Sequence, residues 1–418
     1  MEYIKPPVLY LLILALTSIS GSASGVLPWP DVETLPAYPG VRYPDRPGFP
    51  GVPEVLRHFD FVGNSPEGPA VANPLEWWDS RRPEILSMLR HYMYGHEPPP
   101  PLDLEFTVES IDPGALGGLA VKKVLHGSHG PSGRAPFRFA LYVPKNQQGP
   151  FPTLLALNKF GDLEIEPGGS RDMRWDLIGA MNRGVAIATI SGNNELANDG
   201  GSFRNQLIQP FADAGFGGDW KTISAWAWGL SRVMDYLVTD PDIDAFRVGV
   251  TGFSRRGKTA LWASALDDRF ALVIPHQSGH GGAHSNRKIW GDTYGTRFPH
   301  WFLDRYTYLN DEEYDRLPFD QHFVMTLSAP RTVLLSENSS YGDGLDGMLG
   351  QQAAARPAWS LLGADPIEGV QLEWDSITSA HLHEPRHWAD AYDAVLSLPP
   401  GGTEGFRIWA VGEALWLF

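Results

Sequence analysis

The sequence of 418 residues contains no cysteine. This absence excludes disulfide bonds, thiolate-ligated metal sites and a lipid anchor attached through cysteine. The protein must therefore obtain its stability from a packed core. An apolar fraction of 43% in a chain of this length is sufficient to build one large core.

Positive charge is also scarce, because 33 lysine and arginine residues face 49 aspartate and glutamate residues. The formal net charge of −16 argues against nucleic acid and against anionic membranes as partners, since both attract basic surfaces. The acidic excess fits an enzyme secreted into saline or acidic surroundings, and it is also typical of soluble proteins in general.

The N-terminus lacks an apolar run long enough to cross a bilayer comfortably. Lys5 precedes an apolar run from Val8 to Ile19, and small residues ending at Ser24 follow. This layout predicts a cleavable signal peptide over residues 1–24 and export to a periplasm or to the medium. No internal repeat or charged linker divides the remainder, so we expect residues 25–418 to form a single domain with an N-terminal arm rich in proline and glycine.

Hydrophobic patterning changes along the chain in a way that predicts an α/β fold. Early segments alternate with a period of two, as half-buried strands do, whereas later apolar runs are continuous, as in a sheet covered on both faces. The alternating segments are Leu104–Val108, Val121–Leu125 and Phe137–Val143, and the continuous runs are Thr153–Leu157, Val185–Ile190, Arg247–Val250, Leu272–Ile274 and Thr332–Leu335. Together with an amphipathic helix from Thr222 to Val238, they predict an α/β-hydrolase three-layer sandwich with a mostly parallel central sheet.

Two long loops, Glu195–Trp220 and Ser278–Leu317, follow strands of this predicted sheet. Open α/β sheets place their ligand sites beyond the carboxyl ends of the strands. We therefore expect both loops to shape a substrate cleft.

Ser254 lies in a segment with the layout of a nucleophile elbow. The segment Gly252-Phe253-Ser254-Arg255-Arg256-Gly257-Lys258 follows an apolar strand and opens a helical stretch. On such a turn the serine hydroxyl is lifted out of the sheet, while the next amide and the helix N-terminus stabilise an oxyanion. Arg256 stands where G-x-S-x-G has its second glycine, and Gly257 follows one place later. We interpret Ser254 as a nucleophile.

The residues around this turn closely resemble the glucuronoyl esterases, carbohydrate esterase family 15. The resemblance includes the run from Trp226 to Arg232 and the family's G-x-S-R-x-G-K elbow, which is matched at every fixed position. Further similar stretches run from about Arg134 to Asp390. Phe253 stands where fungal members often have cysteine, which points to the bacterial branch.

The resemblance implies a serine carboxylic-ester hydrolase that needs no cofactor. Its substrate would be the ester between a 4-O-methylglucuronoyl group of glucuronoxylan and a lignin alcohol, cleaved through an acyl-enzyme. The resemblance also implies that Arg255 helps to hold the oxyanion through its amide and guanidinium, and that Lys258 contacts the uronic sugar. Arg256 occupies a variable family position and is expected to be structural.

The general base is expected on a late loop before the last helix, because the chain order in this fold is serine, acid, histidine. His387 precedes the helical stretch Asp390–Leu396 and matches the position of the family's catalytic histidine. The same loop fits the zinc signature H-E-x-x-H, but Pro385 at its centre opposes the continuous helix which that motif requires. No metal is expected, and His381 and His383 are interpreted as loop or cleft residues.

The acid of the triad departs from the family pattern. The family commonly has a glutamate where this chain has Gln277, and a glutamine cannot offer a negative charge to an imidazolium. Gln277 is therefore assigned to substrate binding and to orienting the imidazole. The aspartate that bacterial members carry after the following strand falls on uncharged residues here. Glu337 is adjacent and is the first choice, with Asp343 and Asp346 behind it.

Two other functions stay open at this point. The absence of a glutamate at position 277 motivates a catalytically impaired member that retains only a carbohydrate-binding cleft. An esterase for another acyl group, such as acetylated xylan, is the third interpretation. The intact Ser254, Arg255, Lys258 and His387 favour the active glucuronoyl esterase over the impaired one.

Overall fold

The computed structural model describes most of the chain between residues 53 and 400. The described ranges are 53–59, 68–129, 136–167, 175–205, 207–213, 215, 218–286, 293–314, 316–338, 344–375 and 385–400. The expected signal peptide and nearly all of the N-terminal arm lie outside them. So do His381, His383 and Asp343.

Within the described residues, nine strands form one sheet. They are β1 (Glu105–Gly114), β2 (Ala120–Ser128), β3 (Phe137–Pro144), β4 (Phe151–Asn158), β5 (Ala186–Ser191), β6 (Ile243–Phe253), β7 (Leu272–His276), β8 (Thr332–Asn338) and β9 (Val370–Asp375). Their order across the sheet is β1-β2-β3-β5-β4-β6-β7-β8-β9. The pairings β1–β2, β2–β3 and β3–β5 are antiparallel, and all later pairings are parallel. The antiparallel start and mostly parallel sheet agree with the sequence prediction.

Seven helices in the described part of the chain are labelled because they connect or cover these strands. They are α1 (Arg82–Leu89), α2 (Leu177–Arg183), α3 (Thr222–Leu237), α4 (Arg255–Leu266), α5 (Gln321–Thr326), α6 (Gly344–Ala355) and α7 (Pro385–Ser397). Short helical segments are Pro74–Glu76, Ala115–Gly118, Asp162–Ile165, Phe203–Asn205, Ile208–Asp213, Thr293–Arg297, Asp304–Thr307, Asp311–Tyr314, Pro357–Leu361 and Pro366–Gly369, with π-helical turns at Trp77–Arg81, Arg90–Tyr94 and Gly192–Leu196.

The sheet separates two apolar cores. On one face, α3 and α4 pack against inward side chains such as Val250, Val273 and Leu335. On the other face, α2 and α7 pack against side chains such as Ile274 and Leu334. Helices on both faces explain why the central strands are continuously apolar. The result is the predicted three-layer sandwich, with an α4 face and an α7 face.

Helix α3 is buried around more of its circumference than its predicted apolar stripe alone would explain. Its polar residues Ser224 and Arg232 are buried along with the stripe. The reason is that chain outside the helix covers its second side, since Trp226 Nε1 donates to the Ala197 carbonyl at 2.8 Å and Trp228 Nε1 donates to the Pro98 carbonyl at 2.9 Å. The loop after β5 is thereby tied to the helix that supports the elbow.

Among the residues that the structure describes, no helix combines the length and the apolar character needed to cross a membrane.

Candidate active site

Ser254 occupies the sharp turn between β6 and α4. Its φ of 62° and ψ of −125° lie outside the regions that non-glycine residues usually adopt, as the strained elbow interpretation requires. A Cβ at Gly252 would lie 2.5 Å from the Arg256 carbonyl oxygen, and one at Gly257 would lie 2.9 Å from that of Gly252. The turn closes only because both positions lack a side chain, so Gly257 performs the function of the displaced second glycine.

The elbow is fastened to the end of the neighbouring strand. The Ser254 amide donates to the His276 carbonyl at 2.9 Å, and the Ser254 carbonyl accepts from the Gly257 and Lys258 amides. Helix α4 therefore begins directly behind the serine, and its first turn has amides without intrahelical acceptors. Such a helix N-terminus stabilises negative charge that develops beside Ser254.

His387 reaches this region from the other face of the sheet. It lies in the first turn of α7, is partly exposed, and has its ring centroid 4.7 Å from that of His276. Because the His276 carbonyl holds the Ser254 amide, this contact brings His387 into the neighbourhood of the elbow. The expectation of a loop position is corrected, since α7 already begins at Pro385, a residue suited to the first turn of a helix.

Lys258 is buried rather than solvated, with 6% of its surface exposed. Its ammonium donates to the carbonyl oxygens of Ser278 and His280 and lies 5.8 Å from the centroid of the Trp301 ring. Burial lowers the pKa of this ammonium to about 7, although the negative charge of Glu337 opposes the shift. The side chain thus places a titratable cation one helical turn behind the nucleophile.

The described contacts of Glu337, the first choice for the triad acid, lie on the α4 face, and an acidic function for it stays a prediction. Residues alternate between the two faces along β8, so Leu335 and Glu337 share the α4 face while Leu334 and Ser336 share the α7 face. Ser336 accordingly contacts His276, with 2.6 Å between Oγ and Nδ1. It is Ser336, and not Glu337, that faces the side from which α7 presents its histidine.

Glu337 instead supports the loop that follows β7. Its Oε1 accepts from the Ser278 amide at 2.6 Å, from the Ser278 hydroxyl at 3.1 Å and from the Gly279 amide at 3.4 Å. Its Oε2 lies 3.7 Å from His284 Nε2. Because the Ser278 and His280 carbonyls hold Lys258, the carboxylate of Glu337 both shapes the Lys258 site and supplies a negative charge near it.

Gln277 is fully buried at the start of the same loop. Its φ of 42° lies in the left-handed region. Its backbone N–H donates to the Ser336 backbone carbonyl at 2.7 Å. This bond ties the end of β7 to β8 beyond their last paired residues. Its assignment to substrate binding and to orienting the imidazole stays a prediction, as does an acidic function for Asp343 or Asp346. Asp343 lies outside the described residues, and the Asp346 side chain is not among those described.

Arg255 directs its guanidinium towards the loop after β5. Its Nη1 donates to Asp199 Oδ2 at 2.8 Å, and its Cζ lies 4.9 and 4.6 Å from the ring centroids of Phe298 and Trp301. Arg256 donates to Asn193 Oδ1 at 2.8 Å, in the turn directly after β5, and its structural function stays a prediction.

Sequence reasoning did not identify Asp199, His276 or Trp301. Asp199 and Trp301 lie in the two long loops that were expected to shape the cleft, so their location was predicted although the residues were not. His276 ends β7, two residues beyond the predicted run Leu272–Ile274, and directly precedes Gln277. Its place between Ser254 and His387 depends on the pairing of β6 with β7, which a single sequence does not reveal.

Comparison with known proteins connects this arrangement to esterases. Residues 130–363 match the family model described as glucuronyl esterase of fungi. The chain is 36% identical to carbohydrate esterase MZ0003 of an unknown prokaryotic organism, over 78% of this chain and 85% of that protein. It is 29% identical to the 4-O-methyl-glucuronoyl methylesterase of Podospora anserina, over 84% of this chain and 69% of that protein.

Solved structures give a similar result. A glucuronoyl esterase from Solibacter usitatus superimposes with a TM-score of 0.73 and 28% identity, covering 84% of this chain and 98% of that one. A family 15 glucuronoyl esterase from Teredinibacter turnerae superimposes with a TM-score of 0.67 and 25% identity, covering 82% of this chain and 88% of that one.

Proposed function

The chain belongs to the glucuronoyl esterase family, and on that premise we propose that it hydrolyses esters of glucuronic acid with Ser254 as nucleophile. The observation that carries this assignment is the strained Ser254 turn between β6 and α4, with Lys258 buried one helical turn behind it. The first feature performs acyl transfer, and the second recognises an oxygen-rich acyl group.

The reaction proceeds in two displacements at the ester carbonyl. His387 accepts the Ser254 hydroxyl proton as the serine oxygen attacks the carbonyl carbon and the carbonyl oxygen becomes an oxyanion. The Arg255 amide and guanidinium, together with the N-terminus of α4, stabilise this charge. The C–O bond to the alcohol then breaks, and the alcohol leaves with the proton from His387. Water, deprotonated by His387, then attacks the acyl carbon, and His387 returns the proton to the Ser254 oxygen as its bond to the glucuronate breaks.

Recognition of the acyl group is assigned to Lys258. Its ammonium already has two carbonyl acceptors, and an ammonium has three N–H donors, so one donor remains for a sugar oxygen. Trp301, near the same ammonium, is buried and stacks on Phe298, so it forms part of the apolar wall behind this site. Gln277 is assigned a supporting function beside this site.

The acid that orients His387 is assigned to Asp343 or Asp346. Glu337 occupies the α4 face, and the chain that follows β8 contains these two remaining candidates. An aspartate there holds the imidazole tautomer and stabilises the imidazolium that forms during attack.

The natural substrate is proposed to be the ester that joins a 4-O-methylglucuronate of glucuronoxylan to a lignin alcohol. The protein is proposed to be a bacterial enzyme, exported after cleavage of residues 1–24, with residues 25–418 as one catalytic domain. The N-terminal sequence supports export. The mechanism uses side chains and backbone amides of the protein and invokes neither cofactor nor metal.

Parallel turnover of two substrates tests this function. We expect purified protein to hydrolyse benzyl glucuronate with a much higher kcat/KM than an acetylated xylo-oligosaccharide, and Ser254→Ala to abolish both activities. The reverse preference would favour an esterase for acetyl groups. Binding of glucuronate without turnover would favour the impaired carbohydrate-binding protein that Gln277 suggests.

A further inference from the structure

Asp199 lies in the loop after β5 and contacts three residues that surround the elbow. Its Oδ2 accepts from Arg255 Nη1 at 2.8 Å. Its Oδ1 lies 3.0 Å from His300 Nε2 and accepts from Trp301 Nε1 at 3.0 Å. The side chain is only 8% exposed. Both carboxylate oxygens are therefore used, and two of the three partners, His300 and Trp301, are themselves buried.

Asp199 is ionised across the ordinary pH range. Burial alone would raise the pKa of its carboxyl group, but the hydrogen bond with His300 and the charge of Arg255 outweigh burial and hold this pKa well below its usual range. The Arg255 guanidinium therefore always faces a charged acceptor. A guanidinium has five N–H donors, and the bond to Asp199 leaves others for a ligand.

The aromatic side chains beside Arg255 are fixed by the same carboxylate. The rings of Phe298 and Trp301 stack with centroids 3.8 Å apart and planes inclined by 6°. The guanidinium carbon lies within 5 Å of both centroids. Because Asp199 binds the Trp301 indole N–H as well as Arg255, it fixes the guanidinium and the ring beside it in one arrangement.

We propose that Asp199 is a positioning residue for catalysis, which holds the Arg255 guanidinium in place to stabilise the oxyanion. The inference rests on the proposed function, because it requires an oxyanion beside Ser254. A long arginine side chain left free would have to be ordered during the reaction. A donor that is fixed beforehand stabilises the transition state without that reorganisation.

A double-mutant cycle tests this inference. Asp199→Asn keeps the shape but removes the charge that holds Arg255, so kcat for benzyl glucuronate should fall roughly 10- to 100-fold with little change in KM. In an Arg255→Gln background the same substitution should cost less than about threefold, because the group that it positions is already absent. Losses that multiply in the double variant would overturn the proposal.

Two controls separate positioning from general damage to the fold. Asp244→Asn breaks a comparable ion pair, Arg247 Nε to Asp244 Oδ2 at 2.8 Å, at the opposite end of β6, and should leave kcat unchanged. If Asp199→Asn does not fold, Asp199→Glu keeps the charge but displaces it. It should also lower kcat and should couple to Arg255→Gln, and a wild-type kcat for it would contradict the proposal.

The cycle should be repeated with p-nitrophenyl acetate, whose hydrolysis passes through the same oxyanion. Wild-type protein that hydrolyses only this ester would contradict the glucuronoyl function and still allow the coupling to be measured. Full turnover of benzyl glucuronate with additive losses would contradict the positioning function alone.

Discussion

The two faces of the sheet meet at the same carboxyl edge but present charge in different ways. On the α4 face, Lys258 and Glu337 are both buried and are held by backbone groups of residues 278–280. On the α7 face, His387 is partly exposed and contacts another imidazole, that of His276.

This difference indicates that the two faces have different functions around Ser254. Fixed, buried charge suits recognition of a polar acyl group, because it is already ordered before the substrate binds. A partly exposed histidine suits proton exchange with the leaving alcohol and with water. Substitution of His387 should therefore lower kcat, whereas substitutions of Lys258 and Glu337 should chiefly raise KM.

The largest effect is expected from His387→Ala. Without a general base, kcat for benzyl glucuronate should fall by roughly 10⁴- to 10⁶-fold, while KM should change little. Initial rates over a range of substrate concentrations give both constants. His126→Ala removes an exposed histidine on β2 and should retain wild-type rates. An active His387→Ala protein would show that His387 on the α7 face does not transfer the proton.

Substitution of the triad acid should produce the next largest loss of kcat. One of Asp343→Asn and Asp346→Asn should lower kcat by roughly 10³- to 10⁴-fold, because the imidazolium then lacks a counter-charge. Glu337→Gln should leave kcat within about tenfold of wild type. If only Glu337→Gln lost its kcat, the separation of the two faces would be wrong, and Glu337 would be the triad acid after all.

The dependence of KM on pH tests the function of Lys258 on the α4 face. Its ammonium has a pKa of about 7, lowered chiefly by burial, so its charge is present below that pH and is lost above it. KM for benzyl glucuronate should therefore rise as pH increases through 7. Lys258→Met should raise KM roughly 10- to 100-fold, from the loss of a charged hydrogen bond, and should make KM independent of pH in this window. Lys145→Met, at an exposed lysine, is the matched control. An unchanged KM in Lys258→Met would exclude Lys258 from acyl recognition.

The smallest effect is expected from Glu337→Gln. Its negative charge raises the pKa of Lys258, so its removal should lower that pKa further. The rise in KM should then begin at a lower pH than in wild type, with a change of roughly three- to tenfold at pH 7. A profile of KM against pH that coincides with wild type would show that Glu337 does not act on Lys258.

The sequence predicted the geometry of the Ser254 turn well, because that geometry is determined locally. Ser254, Arg255 and Lys258 lie within one strand-to-helix turn, where spacing and glycine positions determine the geometry. The side on which Glu337 lies was not predictable in this way. Strand β8 is apolar on both faces, so it has no alternation of polar and apolar residues from which to tell them apart.

Two other features depend on contacts between distant parts of the chain. Asp199 and Arg255 are 56 residues apart, and the loop that carries Asp199 has no periodicity from which to infer a partner. Strand β9 was also not predicted, although Val370–Asp375 alternates apolar and polar residues with the period of two that half-buried strands show. Its place at the edge of the sheet, parallel to β8, depends on pairing that a single sequence does not reveal.

Trapping the acyl-enzyme tests the central claim most directly. Wild-type protein is mixed with benzyl glucuronate, quenched rapidly in acid, digested and examined by peptide mass spectrometry. The account predicts a glucuronoyl group on the peptide that contains Ser254, and neither adduct nor turnover in Ser254→Ala. A glucuronoyl group on a different residue, or wild-type turnover by a folded Ser254→Ala protein, would contradict it.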